Sequence, residues 1–123
     1  MKRIRITQNG RFLTEAGLAD RYFLRLRGLI GRDAEALGGL WITPCGQIHT
    51  FMMSVPIDVV YLDREGTVLR VDEALPPSRF FAPVRGARRV LELPAGRAGA
   101  LGIEPGLALE FQTLPQPAKR NKK

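Results

Sequence analysis

The stretch that decides the fold is Ile57-Asp58-Val59-Val60-Tyr61-Leu62, followed at once by Asp63-Arg64-Glu65-Gly66. Past Asp58 the first stretch is apolar at consecutive positions, which is typical of a strand buried on both faces at the centre of a sheet. The next four residues have the composition of a tight turn, and Val68 to Val71 returns as a second strand. The sequence therefore predicts a central strand over residues 57–62 that forms a β-hairpin with the strand after it.

Other strands are predicted on both sides of this hairpin. Lys2 to Gln8 alternates between apolar and polar residues, and Asn9-Gly10 after it is a strong signal for a two-residue hairpin turn. Further short strands are predicted at 11–14, 39–43, 48–53, 89–93 and 107–114. Seven or eight short strands with many Gly and Pro turns predict a mainly β fold with two or three short helices (α+β), forming a compact antiparallel β-barrel or sandwich.

Three segments carry helical signals. From Gly17 to Ile30 arginines and apolar residues fall on opposite faces at 100° per residue, which predicts an amphipathic helix ending near Arg27 or Gly28. Asp33 to Gly38 predicts one helical turn, capped by aspartate and ended by glycine. Residues 95–102 predict a short helix, and Glu-Pro-Gly-Leu at 104–107 matches a type II turn.

Length and charge limit the domain organisation. The chain has 123 residues, of which 45% are hydrophobic and 25% charged, values typical of one globular domain. The formal net charge is +7, yet residues 1–11 and 115–123 each contribute +4 and residues 12–114 sum to −1. We therefore expect one mainly β domain over residues 1–114 and a basic, disordered tail over residues 115–123, which has two prolines and no apolar periodicity.

Several classes of protein are excluded by simple counts. The single cysteine, Cys45, excludes an internal disulfide framework and a four-cysteine zinc site. No stretch approaches the roughly 18 apolar residues of a membrane helix. The basic N-terminus is not followed by the apolar segment of a secretory signal, so we expect a cytoplasmic protein. We also expect no cofactor and no metal.

A family resemblance rests on several motifs in order. Residues 25–32, Arg-Leu-Arg-Gly-Leu-Ile-Gly-Arg, resemble the opening motif of the domain-of-unknown-function family 192, with Ile30 in place of a methionine. Residues 39–42, 49–53, 56–63 and 90–96 resemble its later segments, so the resemblance covers residues 21–111. It implies a small bacterial or archaeal protein with a mainly β fold, no agreed biochemical function and no established catalytic residues. Many members are exported.

One group of residues resembles a catalytic set. Cys45, His49 and Asp58 are the only combination of nucleophile, base and orienting acid, and histidine is the residue type that titrates near neutral pH. However, four residues of extended chain span roughly 13 Å, too far for a hydrogen bond between thiol and imidazole, unless Gly46 bends the chain. Cys45 is equally consistent with a small buried hydrophobe.

Asp58 also suggests a binding site. A carboxylate at the start of an apolar strand needs a charged partner or backbone donors, and an arginine of the 25–32 motif is a candidate. The pairing would either fix this segment to the sheet or line a pocket. The candidate ligand-binding residues are Arg25, Arg27, Trp41, His49, Phe51 and Asp58.

Three functions remain open from the sequence. The first is a non-catalytic module that binds a small ligand or a protein in a polar cleft near His49 and Asp58. The second is a cysteine-dependent enzyme that uses Cys45, His49 and Asp58. The third is weak binding of nucleic acid through the basic termini. Inside the domain body the arginines form two groups, which are Arg21, Arg25, Arg27 and Arg32, and Arg79, Arg85, Arg88 and Arg89. The excess of arginine over lysine favours recognition of carboxylates or phosphates, although a GC-rich genome explains it equally well.

Overall fold

The structure is a computed structural model that describes residues 1–21, 25, 29–30, 32–49, 55–79 and 81–115. Within these residues it contains seven strands and two short helices. In chain order they are β1 (Lys2–Gln8), β2 (Arg11–Ala19), α1 (Ala34–Leu37), β3 (Leu40–Ile42), β4 (Ile57–Leu62), β5 (Val68–Leu75), β6 (Arg89–Pro94), α2 (Arg97–Ala100) and β7 (Glu110–Thr113). The predicted mainly β, α+β fold class is confirmed.

The seven strands form one sheet in the order β5-β4-β6-β3-β2-β1-β7. All neighbouring strands are antiparallel except β2 and β3, which are parallel because the chain returns through α1 between them. Backbone hydrogen bonds join residues 66–68 to residues 106–109, but β5 and β7 do not pair with each other. The sheet is therefore open and sandwich-like, and the β-barrel alternative was wrong.

The two predicted hairpins are confirmed. β4 and β5 pair antiparallel, and the carboxylate of Asp63 accepts backbone hydrogen bonds from Glu65 and Thr67 that shape the turn between them. β1 and β2 are joined through Asn9 and Gly10, which have φ angles of 49° and 77°. Both residues adopt the left-handed conformation that a tight turn between right-twisted strands requires.

The predicted helix over residues 17–30 is wrong at its start. β2 continues to Ala19, where it pairs with Ile42 of β3. A Cβ on Gly17 would overlap the side chain of Met1, so the strand packs closely there. Arg25 donates its backbone N–H to the carbonyl of Arg21, as in a helix, and most of the remaining segment lies outside the described residues.

The predicted helical turn over residues 33–38, the short helix within residues 95–102 and the turn over residues 104–107 are confirmed. The carboxylate of Asp33 accepts a hydrogen bond from the backbone N–H of Ala36 at 3.2 Å, and Gly38 follows α1 with a φ of 86°. The second helical segment forms α2. Gly106 adopts a φ of 93° in the 104–107 turn. The predicted strand over residues 48–53 lies mostly outside the described residues.

Both faces of the sheet are covered by buried apolar side chains, because side chains alternate along each strand. On what we call the Asp58 face, Trp41, Val60 and Leu91 pack with Ala98 of α2. On the opposite face, which we call the Glu92 face, Leu40, Val59, Tyr61 and Val90 pack with Leu29 and Ile48. No described helix has the length and apolar composition needed to cross a membrane.

Candidate functional site

Asp58 is completely buried and its carboxylate is fully engaged. One oxygen accepts a hydrogen bond from the backbone N–H of Ala74 at 2.8 Å, and the other accepts from the backbone N–H of Ala98 at 3.0 Å. The predicted need for donors is thus met by backbone amides of β5 and α2. Asp58 fixes the edge strand β5 and the short helix α2 to β4, on the face where Trp41 is also buried.

Glu92 is a second buried carboxyl group, which the sequence reasoning missed. It is 3% exposed and lies in β6 opposite Leu40 of β3 and Val59 of β4. The backbone N–H of Leu29 donates a hydrogen bond to its carboxyl group, whereas its Oε1 has no hydrogen-bond partner among the described residues. Burial raises the pKa of Glu92 to about 7. The signal was present, since Glu92 lies between Leu91 and Leu93 in a predicted strand.

The segment 45–48 crosses the Glu92 face beside the segment 81–88. The backbone N–H of Cys45 donates to the carbonyl of Arg88 at 2.7 Å, and the N–H of Val84 donates to the carbonyl of Gly46 at 3.1 Å. A Cβ on Gly46 would lie 2.9 Å from the carbonyl oxygen of Ala87, so a glycine is required for this approach. The two segments together cover part of the Glu92 face.

Cys45 lies near charged groups of the Glu92 face, in surroundings that oppose ionisation of its thiol. Burial is the largest influence on its pKa and raises it above the ordinary value, while Glu92 and Arg25 act on it in opposite directions. The thiol also donates a hydrogen bond to the carbonyl of Gln47 at 3.1 Å. A catalytic cysteine needs a lowered pKa, so the environment of Cys45 disfavours thiolate chemistry near neutral pH.

The remaining predicted site residues are distributed as follows. Arg25 is half-buried near Cys45, and its guanidinium donates to the carbonyl of Asp20 at 3.2 Å. His49 is half-buried at the end of the segment that holds Cys45. Trp41 is completely buried on the Asp58 face, where its ring centroid lies 5.3 Å from that of Phe111. Arg27 and Phe51 lie outside the described residues.

A pocket of about 240 Å³ opens on the Glu92 face, between β5 and residues 81–85. Tyr61, Arg70 and Asp72 line it from the sheet, and the segment 81–85 closes it from the other side. Burial, followed by the charge of Asp72, raises the pKa of Tyr61 to about 12, so its phenol is a hydrogen-bond donor at neutral pH. The charges of Cys45 and Glu92 also act to raise the pKa of Tyr61.

Two further observations concern possible metal ligands and the basic N-terminus. Across the described part of the chain, no three His, Cys, Asp or Glu side chains are grouped as metal ligands would be. Of the basic N-terminal residues, Arg3 lies 3.7 Å from the carboxylate of Glu15, and Arg5 lies over the ring of Phe12 at 5.0 Å. Residues 116–123, which include the basic tail residues, lie outside the described residues.

Comparison with known proteins identifies the family. The model of family DUF192, described as an uncharacterized ACR, matches residues 4–111. The chain belongs to the DUF192 family. A UPF0127 protein of Pyrococcus abyssi is 41% identical over 102 residues, covering 78% of this chain and 85% of that protein. A UPF0127 protein of Thermococcus sibiricus is 30% identical over 113 residues, covering 83% and 73%.

Two crystal structures resemble this DUF192 chain. A putative transcription regulator from Sinorhizobium meliloti has a TM-score of 0.75 and 26% identity, covering 89% of this chain and 92% of that one. A protein of unknown function from Novosphingobium aromaticivorans has a TM-score of 0.72 and 21% identity, covering 88% and 83%. The likeness to the second structure supports the DUF192 fold alone.

Within the DUF192 chain, the Glu92–Leu29 hydrogen bond joins two segments that carry the family resemblance. Leu29 belongs to the arginine-rich motif at 25–32, and Glu92 belongs to the segment at 90–96. Among the described residues, the backbone N–H of Leu29 thus links the motif to the sheet by donating to the Glu92 carboxyl group. This link lies on the Glu92 face, whereas the sequence had suggested a link to Asp58, which lies on the opposite face.

Proposed function

We propose that this DUF192 protein is a non-catalytic module that binds a small molecule in the pocket between β5 and residues 81–85. The observation that carries the proposal is the pocket itself, a concavity of about 240 Å³ with a phenol, two guanidinium groups and a carboxylate on its walls. Small-molecule sites combine an apolar concavity with a few polar groups that fix orientation. Phe81, Pro83 and Val84 supply the apolar part of the wall.

The polar groups next to the pocket support the same proposal. Glu92 is buried with one oxygen lacking a hydrogen-bond partner among the described residues, and Tyr61 connects its surroundings to the pocket wall. Buried polar atoms without partners are rare, because each costs about 1–3 kcal/mol. In the part of the chain that the structure describes, Oε1 of Glu92 is one such atom on the face that carries the pocket, and Nε1 of Trp41 is another on the Asp58 face.

The non-catalytic part of the proposal rests on Cys45 and Asp58. Burial raises the pKa of the Cys45 thiol, and both oxygens of Asp58 are engaged by backbone amides on the opposite face of the sheet. Nucleophilic catalysis would need a thiolate and an acid that orients a base. Neither condition is supported by these environments.

Nuclear magnetic resonance with small ring compounds tests the proposal. We would titrate ¹⁵N-labelled protein with benzoate, benzamide and benzylamine at millimolar concentration and follow the backbone amides. We expect at least one compound to shift the pocket amides in a saturable manner, namely those of Tyr61, Arg70, Phe81, Ala82, Val84 and Arg85.

A blocking variant gives the control. Ala82, an exposed residue of the pocket wall, is replaced by tryptophan to fill the cavity, and Ala36→Trp places the same residue on exposed α1. The response should disappear in Ala82→Trp and persist in Ala36→Trp. If neither these three compounds nor phenyl phosphate, a second anion of the same ring size, shifts the pocket amides of the wild-type protein, the proposed function is wrong.

A further inference from the structure

The segment that closes the pocket is strongly basic. Residues 76–89 contain four arginines (Arg79, Arg85, Arg88 and Arg89) and no acidic residue. The domain body as a whole is close to neutral, so this concentration of positive charge is local. The sequence had indicated that these arginines suit carboxylates or phosphates, and the structure places their segment on the pocket.

The charges inside the pocket do not cancel. Arg70 and Asp72 form an ion pair at 2.6 Å, so each neutralises the other. The second guanidinium of the wall, Arg85, is exposed and forms no ion pair with any residue that the structure describes. The polar side of the pocket therefore carries one positive charge that no described acidic side chain balances.

The carboxyl group of Glu92 does not balance the positive charge of Arg85. Glu92 is the buried acid of the same face, and below neutral pH it is largely protonated because burial opposes its charged form. Tyr61 is neutral and can donate a hydrogen bond from the pocket wall. An anion entering the pocket thus meets one unpaired guanidinium and one phenol donor.

We propose that the pocket binds a small organic anion, a carboxylate or phosphate carried on a compact apolar body, and that Arg85 binds the negative group. This inference rests on the proposed function and adds the ligand class to it. Phe81, Pro83 and Val84 contact the apolar body, and Arg85 provides the fork of donors that matches a carboxylate or phosphate. The pocket volume suits a single small molecule rather than a polymer.

Four probes of the same ring size but different charge test the ligand class. Benzoate and phenyl phosphate are anions with different head groups, benzamide is neutral, and benzylamine is a cation. Their dissociation constants are obtained from the amide shifts at low and at physiological salt. We expect an anion to bind about tenfold more tightly than benzamide, benzylamine to bind most weakly, and the advantage of the anion to shrink with salt. The better of the two anions identifies the head group.

Variants assign the anion to Arg85. Arg85→Gln is expected to weaken binding of the preferred anion about tenfold and leave benzamide unchanged. Arg11→Gln, an exposed arginine in the distant β1–β2 hairpin, serves as the matched control and should change neither constant. Because both positions are exposed, both variants are expected to fold, which the spread of their amide spectra verifies.

The outcomes separate this inference from the proposed function. If benzamide binds as tightly as the anions, or if Arg85→Gln retains the affinity for the anion, the anion site is wrong while small-molecule binding stands. If no probe shifts the pocket amides at either salt concentration, the pocket is not a ligand site and both proposals fall.

Discussion

The backbone N–H of Leu29 donates a hydrogen bond to the carboxyl group of Glu92 across the Glu92 face of the sheet. One end of this contact is a main-chain group of the 25–32 motif, and the other is a carboxyl group 3% exposed in the centre of β6. Burial favours the neutral form of this carboxyl group. The attachment of the motif to the sheet is therefore sensitive to the proton on Glu92.

The first prediction concerns the pH dependence of stability. The pKa of Glu92 is about 7 in the folded protein against an ordinary value of 4.5. Between these values the unfolded chain loses this proton while the folded chain keeps it, so stability falls as pH rises from 4.5 to about 7 and then levels off. The loss from this one group is on the order of 3 kcal/mol.

Urea unfolding of the wild type and Glu92→Gln from pH 4.5 to pH 8 measures this loss. The variant should lack the decline, because glutamine has no proton to release. Glu104→Gln, at an exposed position, serves as control and should follow the wild type. Parallel curves for the wild type and Glu92→Gln would show that Glu92 does not titrate in this range.

The second prediction concerns Asp58. In Asp58→Asn one of the two acceptor oxygens becomes an amide that faces a backbone N–H, either that of Ala74 or that of Ala98. One buried donor then loses its acceptor, so we expect the free energy of unfolding to fall by about 2–4 kcal/mol. Chemical denaturation measures the loss. Asp20→Asn, at an exposed position, should change stability by less than about 0.5 kcal/mol.

The third prediction concerns the reactivity of Cys45. Burial raises its pKa above 9.0, so the thiolate is scarce at neutral pH. The rate of alkylation by iodoacetamide, followed by mass spectrometry, should be far below that of the urea-unfolded chain at pH 7.5 and rise only above about pH 9. A rate that reaches half its maximum below pH 8 would instead support the cysteine-enzyme hypothesis.

The fourth prediction separates close approach from backbone conformation at two glycines. Gly66 and Gly106 have φ angles of 89° and 93°, so alanine is strained at both. A Cβ on Gly66 would overlap the carbonyl oxygen of Leu109, whereas at Gly106 nothing lies within 4 Å. Gly106→Ala should cost about 1 kcal/mol, and Gly66→Ala at least about 1 kcal/mol more. Equal losses in thermal unfolding would show that the contact with Leu109 yields without cost.

Local signals in the sequence were sufficient for most of the fold. Turn residues such as Asn9-Gly10 and consecutive apolar residues such as those of β4 act over short distances, and the structure confirms them. The helical pattern from Gly17 failed at its start because pairing of β2 with β3, a long-range contact, overrode it. Local sequence patterns also could not predict that the sheet stays open, because closure into a barrel depends on whether the edge strands β5 and β7 pair with each other.

The candidate site was less accessible from the sequence. The burial of Asp58 was predictable from its apolar neighbours, but its donors, the backbone amides of Ala74 and Ala98, come from segments 16 and 40 residues away. Glu92 had the same local signature, but the resemblance of residues 90–96 to the family implied no role for it. The pocket arises where residues 81–85 approach β5, and no spacing along the chain indicates that approach.

Because side chains alternate between the two faces along β4 and β6, the buried carboxyl groups of Asp58 and Glu92 lie on opposite faces of the sheet. Asp58 holds β5 and α2 from one side of the sheet, and Glu92 meets the arginine-rich motif on the other. Substitutions in residues 81–85 therefore leave the anchors of Asp58 untouched, and a change of ligand need not compromise the scaffold. Related proteins can therefore differ in residues 81–85, and so in what they bind, while they keep the same contacts between Asp58, β5 and α2.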